Sequence, residues 1–178
     1  PYMKMTSVHE GPKIISLEKE QQEQKSAGLI RVKEIDGFSM ILNKDYFTDN
    51  IFFDEKFFMY LENVDLCLRA MENNGKMFIV KNSKINHLGA KAVDDKYNDE
   101  IELSRNWHWM WSKFYFNKKN YGIFFAYLKS LPNLFSSMIK FTYYALSLNK
   151  HKKYIYYMRL TGIINGMLGK NSWLRPDE

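Results

Sequence analysis

Three charged residues interrupt a mostly apolar run, Phe58-Met59-Tyr60-Leu61-Glu62-Asn63-Val64-Asp65-Leu66-Cys67-Leu68-Arg69. Glu62, Asp65 and Arg69 stand at i, i+3 and i+7, so on a helix they share one face. A carboxylate held beside apolar surface can take a proton from a hydroxyl nucleophile, which is general-base chemistry. Arg69 would neutralise one acid or tie the helix to its neighbour. The same spacing also suits an exposed helical charge cluster, the commoner use of such runs. His87 ends "KINHLG", and a lone histidine is more often structural than a ligand. His108 and His151 read as ordinary. Phe57, Phe58 and Tyr60 are aromatics of the kind that most often pack in a core. Gly37, after Asp36, lets backbone approach a ligand closely.

These residues need elements to hold them. Leu61, Val64, Leu68 and Met71 recur at helical spacing and predict a helix over 61–74. Asn73-Asn74-Gly75 ends it, with Gly75 suited to the left-handed cap. "LIRVKEID" (29–36) alternates like a strand. "FSMILN" (38–43) reads as a second strand or the start of a buried element, and "DYFTDN" (45–50) as a short helical or turn piece. An aromatic loop, "FFDEKFFMY", leads into the helix. "KMFIV" and "KINHLG" follow as short strands with a turn at Asn82-Ser83. From about Tyr97 the chain reads as helical, with breaks at Tyr121-Gly122 and Leu148-Asn149-Lys150, and Pro132 as a kink or a new start. Trp107, Trp109 and Trp111 cannot share one helical face, so some pack inward and others suit a lipid interface.

The bulk composition narrows the classes. The chain has 178 residues, 46% hydrophobic and 16% aromatic, which excludes a disordered protein. A single cysteine, Cys67, excludes an internal disulfide framework and fits a reducing compartment. No basic start followed by an apolar stretch marks a signal peptide, and the absence of an initial Met reads as a fragment of a longer protein. Residues 1–109 carry 15 Lys and Arg against 18 Asp and Glu, while residues 110–178 carry 11 against 2. A basic, aromatic second part points to an anionic surface. No nucleic-acid motif accompanies it, which favours phospholipid. Lys129, Pro132 and Lys140 interrupt the apolar region 121–148, so amphipathic helices lying on a membrane fit better than a span.

In order along the chain, Asp36-Gly37, the "FFDEKFFMY" loop, the "ENVDLCLR" helix, Gly75 before an edge strand and the "INHLG" strand end resemble the acceptor half of glycosyltransferase family 2. "SRNWHWMWSKFYFNKKNYG" and "SWLRP" are similar to a rhamnosyltransferase-like subset of that family, and the resemblance spans residues 29–175. It implies an α/β fold: the C-terminal part of a GT-A (Rossmann-like) glycosyltransferase domain followed by amphipathic α-helices. On that basis 1–28 is a flexible N-terminal segment, 29–112 the acceptor-side half and 113–178 a basic amphipathic helical region.

The resemblance also implies chemistry. An acid opening the 61–74 helix deprotonates an acceptor hydroxyl, which attacks the anomeric carbon of a nucleotide-sugar and inverts it. Many relatives carry a second acid where this chain has Asn63, and an amide is no base at neutral pH. Glu62 or Asp65 must then serve, Glu62 first, because Asp65 is also placed to pair with Arg69. Asp36, Gly37, Phe58, Tyr60, Asn63 and Arg69 would bind substrate. His87 would help hold Mg2+ or Mn2+, the other ligands lying in an N-terminal donor half. That half ends in an Asp-x-Asp motif; Asp54-Glu55 and Asp94-Asp95 sit in the wrong context for it. The implied partners are a nucleotide-sugar donor, a lipid-linked or polysaccharide acceptor and an anionic membrane, with no nucleic acid. The implied place is the cytoplasmic face of the bacterial inner membrane, peripherally, in cell-envelope polysaccharide synthesis. Without the donor half, the same residues would make a non-catalytic acceptor-binding module.

Overall fold

Lys76-Met77-Phe78-Ile79-Val80 is rich in the side chains that fit a pleated surface, and it forms the middle strand of a three-stranded sheet. The computed structural model describes residues 3–6, 28–43, 47, 52–86 and 94–175. Helices outweigh strands, and the two together make a mixed architecture. The chain divides into two units. The first is Pro1–Asp54 with Glu62–Leu88, and the second is Glu55–Leu61 with Gly89–Glu178.

The first unit holds β1 (Met3–Thr6), β2 (Leu29–Val32), α1 (Glu62–Glu72) and β3 (Lys76–Val80), with sheet order β1-β3-β2. Both pairings are antiparallel, with Met3 opposite Ile79 and Leu29 opposite Val80. β1 lies in the segment that reads as flexible from sequence. Its backbone pairs along the edge of β3, a template that local composition does not reveal. The second strand expected at 38–43 shrinks to a single bridge at Ile41. Lys84–Asn86 is not a strand, and the rest of "KINHLG" lies outside the described residues, as do positions 45, 46 and 48–50 of "DYFTDN". Ile35, Phe47, Leu66, Cys67, Ala70 and Met77 form the core, flanked by Val32, Met40, Leu42 and Phe52.

α1 buries Asp65, Leu66, Cys67 and Ala70 rather than the expected stripe of Leu61, Val64, Leu68 and Met71. The helix is apolar on more than one side, so spacing alone does not choose the buried face. Small Cys67 and Ala70 permit close approach, and the Asp65–Arg69 pair makes a buried acid tolerable. At its end, Asn74 takes the left-handed conformation (φ 62), not Gly75. The Gly75 amide donates to Ala70 and the Asn74 amide to Met71, the two bonds of a Schellman motif.

The second unit holds a 3₁₀ turn (Asp95–Tyr97), α2 (Asn98–Tyr121), α3 (Ile123–Leu146) and α4 (Lys150–Met167). Gly122 (φ 90) separates α2 from α3, and Leu148 (φ 56) precedes Asn149, whose side chain accepts from the Lys152 amide at 3.0 Å. Both breaks fall where the sequence marks them, while α3 runs through Pro132 without a new start. Trp107, Met110, Trp111, Phe114, Ala126 and Ile163 are buried here. Gly162 and Gly166, one turn apart on α4, sit against Trp107 and Phe114 of α2. Only residues without side chains allow helices to come that close. No helix among the described residues is long and apolar enough to cross a membrane.

Candidate functional site

α1 starts from strained backbone. Tyr60 (φ 70) and Leu61 (φ 68) are consecutive non-glycine residues in the left-handed region, each costing about 1–2 kcal/mol. Leu61 has no side-chain oxygen to cap the helix. The chain therefore reaches Glu62 through a costly turn, and such strain gathers at functional sites. Glu62 itself is half-buried, and its Oε2 is buried with no hydrogen-bond partner among the described residues. A buried oxygen of this kind is unfavourable unless something else donates to it. Gly37 lies beside it: a β-carbon built there would stand 3.8 Å from Glu62 Oε1 and 3.5 Å from Asn63 Cβ. Asp36 is exposed next to that glycine.

The other charged residues of the α1 face serve its placement. Asp65 is fully buried, and Arg69 Nε donates to its Oδ2 at 3.0 Å. Arg69 also donates through Nη2 to the Phe52 carbonyl at 2.5 Å. The exposed charge cluster is thereby excluded, since this pair spans core and loop. Asn63 Nδ2 donates to the Ile35 carbonyl at 2.5 Å, joining the first turn of α1 to the segment before Gly37. A carboxylate at 63 would have no proton to offer that carbonyl, which gives the amide a positioning role. The Cys67 thiol is pushed up by burial, so it is not a nucleophile.

Unit one thus brings together Asp36, Gly37, Glu62 and Asn63, and separately pairs Asp65 with Arg69. Phe58 and Tyr60 belong to the second unit. There the Phe58 ring lies 4.8 Å from that of His108 with the Arg175 guanidinium 3.6 Å above it. Tyr60 meets Trp109 edge-on at 5.4 Å, while Phe58 stays 43% exposed. Of the three tryptophans, Trp107 and Trp111 are buried and Trp109 is exposed. His87 lies outside the described residues. Among the described residues, the first unit gathers no group of three ligating side chains. One group elsewhere has metal-ligand character: Asp99, Glu102 and His151, all exposed, with ligating atoms within 4.8 Å of one another. His151 Nε2 lies 3.1 Å from Glu102 Oε2, an ordinary surface pairing.

His108, ordinary on its sequence context, is the buried link between α2 and the C-terminal segment. Its Nε2 donates to the Leu174 carbonyl at 2.7 Å, and its Nδ1 accepts from Ser172 Oγ, 2.9 Å away. Gly169 (φ 70) closes a Schellman turn after α4, with Lys170 donating to Asn165 and Gly169 to Gly166. That turn puts the Lys170 carbonyl 2.9 Å from Trp111 Nε1. Residues 172–175 therefore work as a strap, and only the pairing of a polar ring with Ser172 sixty-four residues away would have revealed it. Burial holds the His108 pKa below its ordinary value, opposed by the Leu174 carbonyl and aided by the Arg175 charge. The folded chain therefore binds this proton less readily than the unfolded chain. The stability His108 confers is full above about pH 6.5 and is lost as the pH falls below it. Thermal melts at pH 7.5 and pH 5.0, with the His108 ring followed by NMR, should show a lower midpoint at acid pH and a ring titrating below the unfolded value.

No protein-family model matches the chain, and neither does any curated protein or solved structure, so its function is read from its own residues and their geometry.

Proposed function

We propose that the chain is the acceptor-side portion of an inverting family 2 glycosyltransferase, with Glu62 as its base. The observation that carries this is the Glu62 carboxylate: Oε2 is buried without a donor among the described residues, Oε1 lies 3.8 Å from a β-carbon built on Gly37, and the residue directly follows two left-handed positions. An acceptor hydroxyl supplies the missing hydrogen bond. It passes its proton to Glu62 as its oxygen attacks the anomeric carbon of a nucleotide-sugar, and the nucleoside diphosphate leaves from the opposite face. Asn63 fixes the first turn through the Ile35 carbonyl, and Asp65 with Arg69 fixes the helix behind it. The acceptor is a lipid-linked or polysaccharide hydroxyl.

A second reading, an acceptor-binding module without chemistry, rests on the same Gly37 and Glu62 geometry used for binding alone. Titration with oligosaccharide acceptors separates the cases. Under either reading, the NMR amide signals of Gly37, Glu62 and Asn63 should move on binding. Transfer from added nucleotide-sugars by the full gene product selects the enzyme, and binding without transfer selects the module. Shifts confined to other residues would remove both.

A further inference from the structure

α3 is packed inside out. The residues it buries fully in the second unit are small: Ala126, Ser130 and Ser137 are 0%, 6% and 2% exposed. Phe141 and Tyr144 are half-buried against Tyr157 and Tyr156 of α4, but five large apolar residues point away, with Phe124 at 89%, Leu128 at 66%, Phe135 at 56%, Ile139 at 70% and Leu146 at 81%. At about 100° per residue these five positions fall in one stripe, roughly 33 Å long from 124 to 146. Lone exposed apolar residues need no explanation, but a continuous stripe marks a surface that something covers. Small residues inward, together with Gly162 and Gly166 of α4, let the three helices pack closely without spending these large side chains.

Charge identifies the occupant. From Leu103 to Pro176 the chain has no acidic residue and twelve Lys and Arg. Lys129 and Lys140 lie along one side of the stripe on α3, and Lys150, Lys152 and Lys153 open α4 beside exposed Leu148. The surface that fits is apolar at its centre and anionic at its rim. A nucleic acid would use the lysines and leave the stripe in water. A second copy would bring two lysine rims together, which like charge opposes. No described helix can span a bilayer, so α3 lies along the surface. We infer that the outward face of α3 docks this chain on an anionic phospholipid interface, with Phe124, Leu128, Phe135, Ile139 and Leu146 entering the acyl boundary and the lysines meeting headgroups. This narrows the basic helical region to one helix and does not depend on the transferase reading.

Vesicle co-sedimentation tests it, using phosphatidylcholine alone and phosphatidylcholine with about one third phosphatidylglycerol. The expected partition is at least tenfold higher on the anionic vesicles, and it falls steeply in about 0.5 M salt, where charge is screened. Leu128→Ser with Ile139→Ser should lower it at least tenfold while circular dichroism and the melting midpoint stay unchanged, because both positions are exposed. Lys129→Gln with Lys140→Gln should lower binding to anionic vesicles only. A tryptophan in place of Phe135 should shift its emission to the blue on docking. Equal recovery in the supernatant with both lipids overturns the proposal. So does vesicle binding indifferent to the Leu128→Ser and Ile139→Ser pair, or a stable dimer that this pair dissolves while vesicles remain unbound.

Discussion

Glu62→Gln should cut turnover of the full gene product by a factor on the order of 10² to 10⁴, the usual contribution of a positioned base. The substitution keeps the shape beside Gly37 and replaces a carboxylate with a neutral amide that cannot act as a base. Acceptor binding, read from the amides of Gly37 and Asn63, should survive. The control is Asp65→Asn. Asp65 is buried against Arg69, so losing its charge should lower the unfolding midpoint while leaving the turnover of the folded fraction near normal. Measuring kcat for both variants with the same donor and acceptor decides between them. A fully active Glu62→Gln beside a folded, inactive Asp65→Asn would move the base to Asp65.

Gly162→Ala should be the most damaging single methyl in the second unit. A β-carbon there would lie 2.3 Å from the Trp107 carbonyl oxygen and 3.2 Å from its Cα. Both are backbone atoms, so α4 must move away from α2. Overpacking of this kind costs typically about 1–3 kcal/mol, and this clash belongs at the upper end. The better helix propensity of alanine, worth about 1 kcal/mol, offsets only part of it. Gly166→Ala is the comparison. Its β-carbon would meet the Phe114 side chain at 3.1 Å, and a ring can give by a few tenths of an ångström. Urea unfolding of the two variants should place Gly162→Ala clearly below Gly166→Ala; equal midpoints would show that the helices are free to separate.

The sequence was most legible where local rules decide the outcome. Gly122 and the Leu148-Asn149 break were visible because glycine, a left-handed residue and an asparagine cap act within a few positions. The Asp65–Arg69 pair was visible because i, i+4 spacing nearly forces it on a helix. What escaped depends on distant partners. The strand Met3–Thr6 exists through the edge of β3. The buried side of α1 was misassigned because the choice between two apolar faces is made by the core, not by the helix. His108 looked ordinary because its meaning lies in Ser172 and Leu174. Within the candidate site, the acids could be read, but the strain at Tyr60 and Leu61 could not, since neither residue type announces a left-handed backbone. Asn63 was read as a missing acid, and its bond to the Ile35 carbonyl explains the amide.

The reversal within α3 changes which substitutions the chain can absorb. In an ordinary surface helix the inner positions demand bulk and the outer ones tolerate almost anything polar. Here Ala126, Ser130 and Ser137 set a ceiling on size, because any larger side chain would wedge the helices apart. The outer positions set only a floor on hydrophobicity. Phe124, Leu128 and Ile139 can trade among leucine, isoleucine, methionine and phenylalanine without disturbing a neighbour. The inner face of this helix is written in shapes, and the outer one in a single property with many spellings.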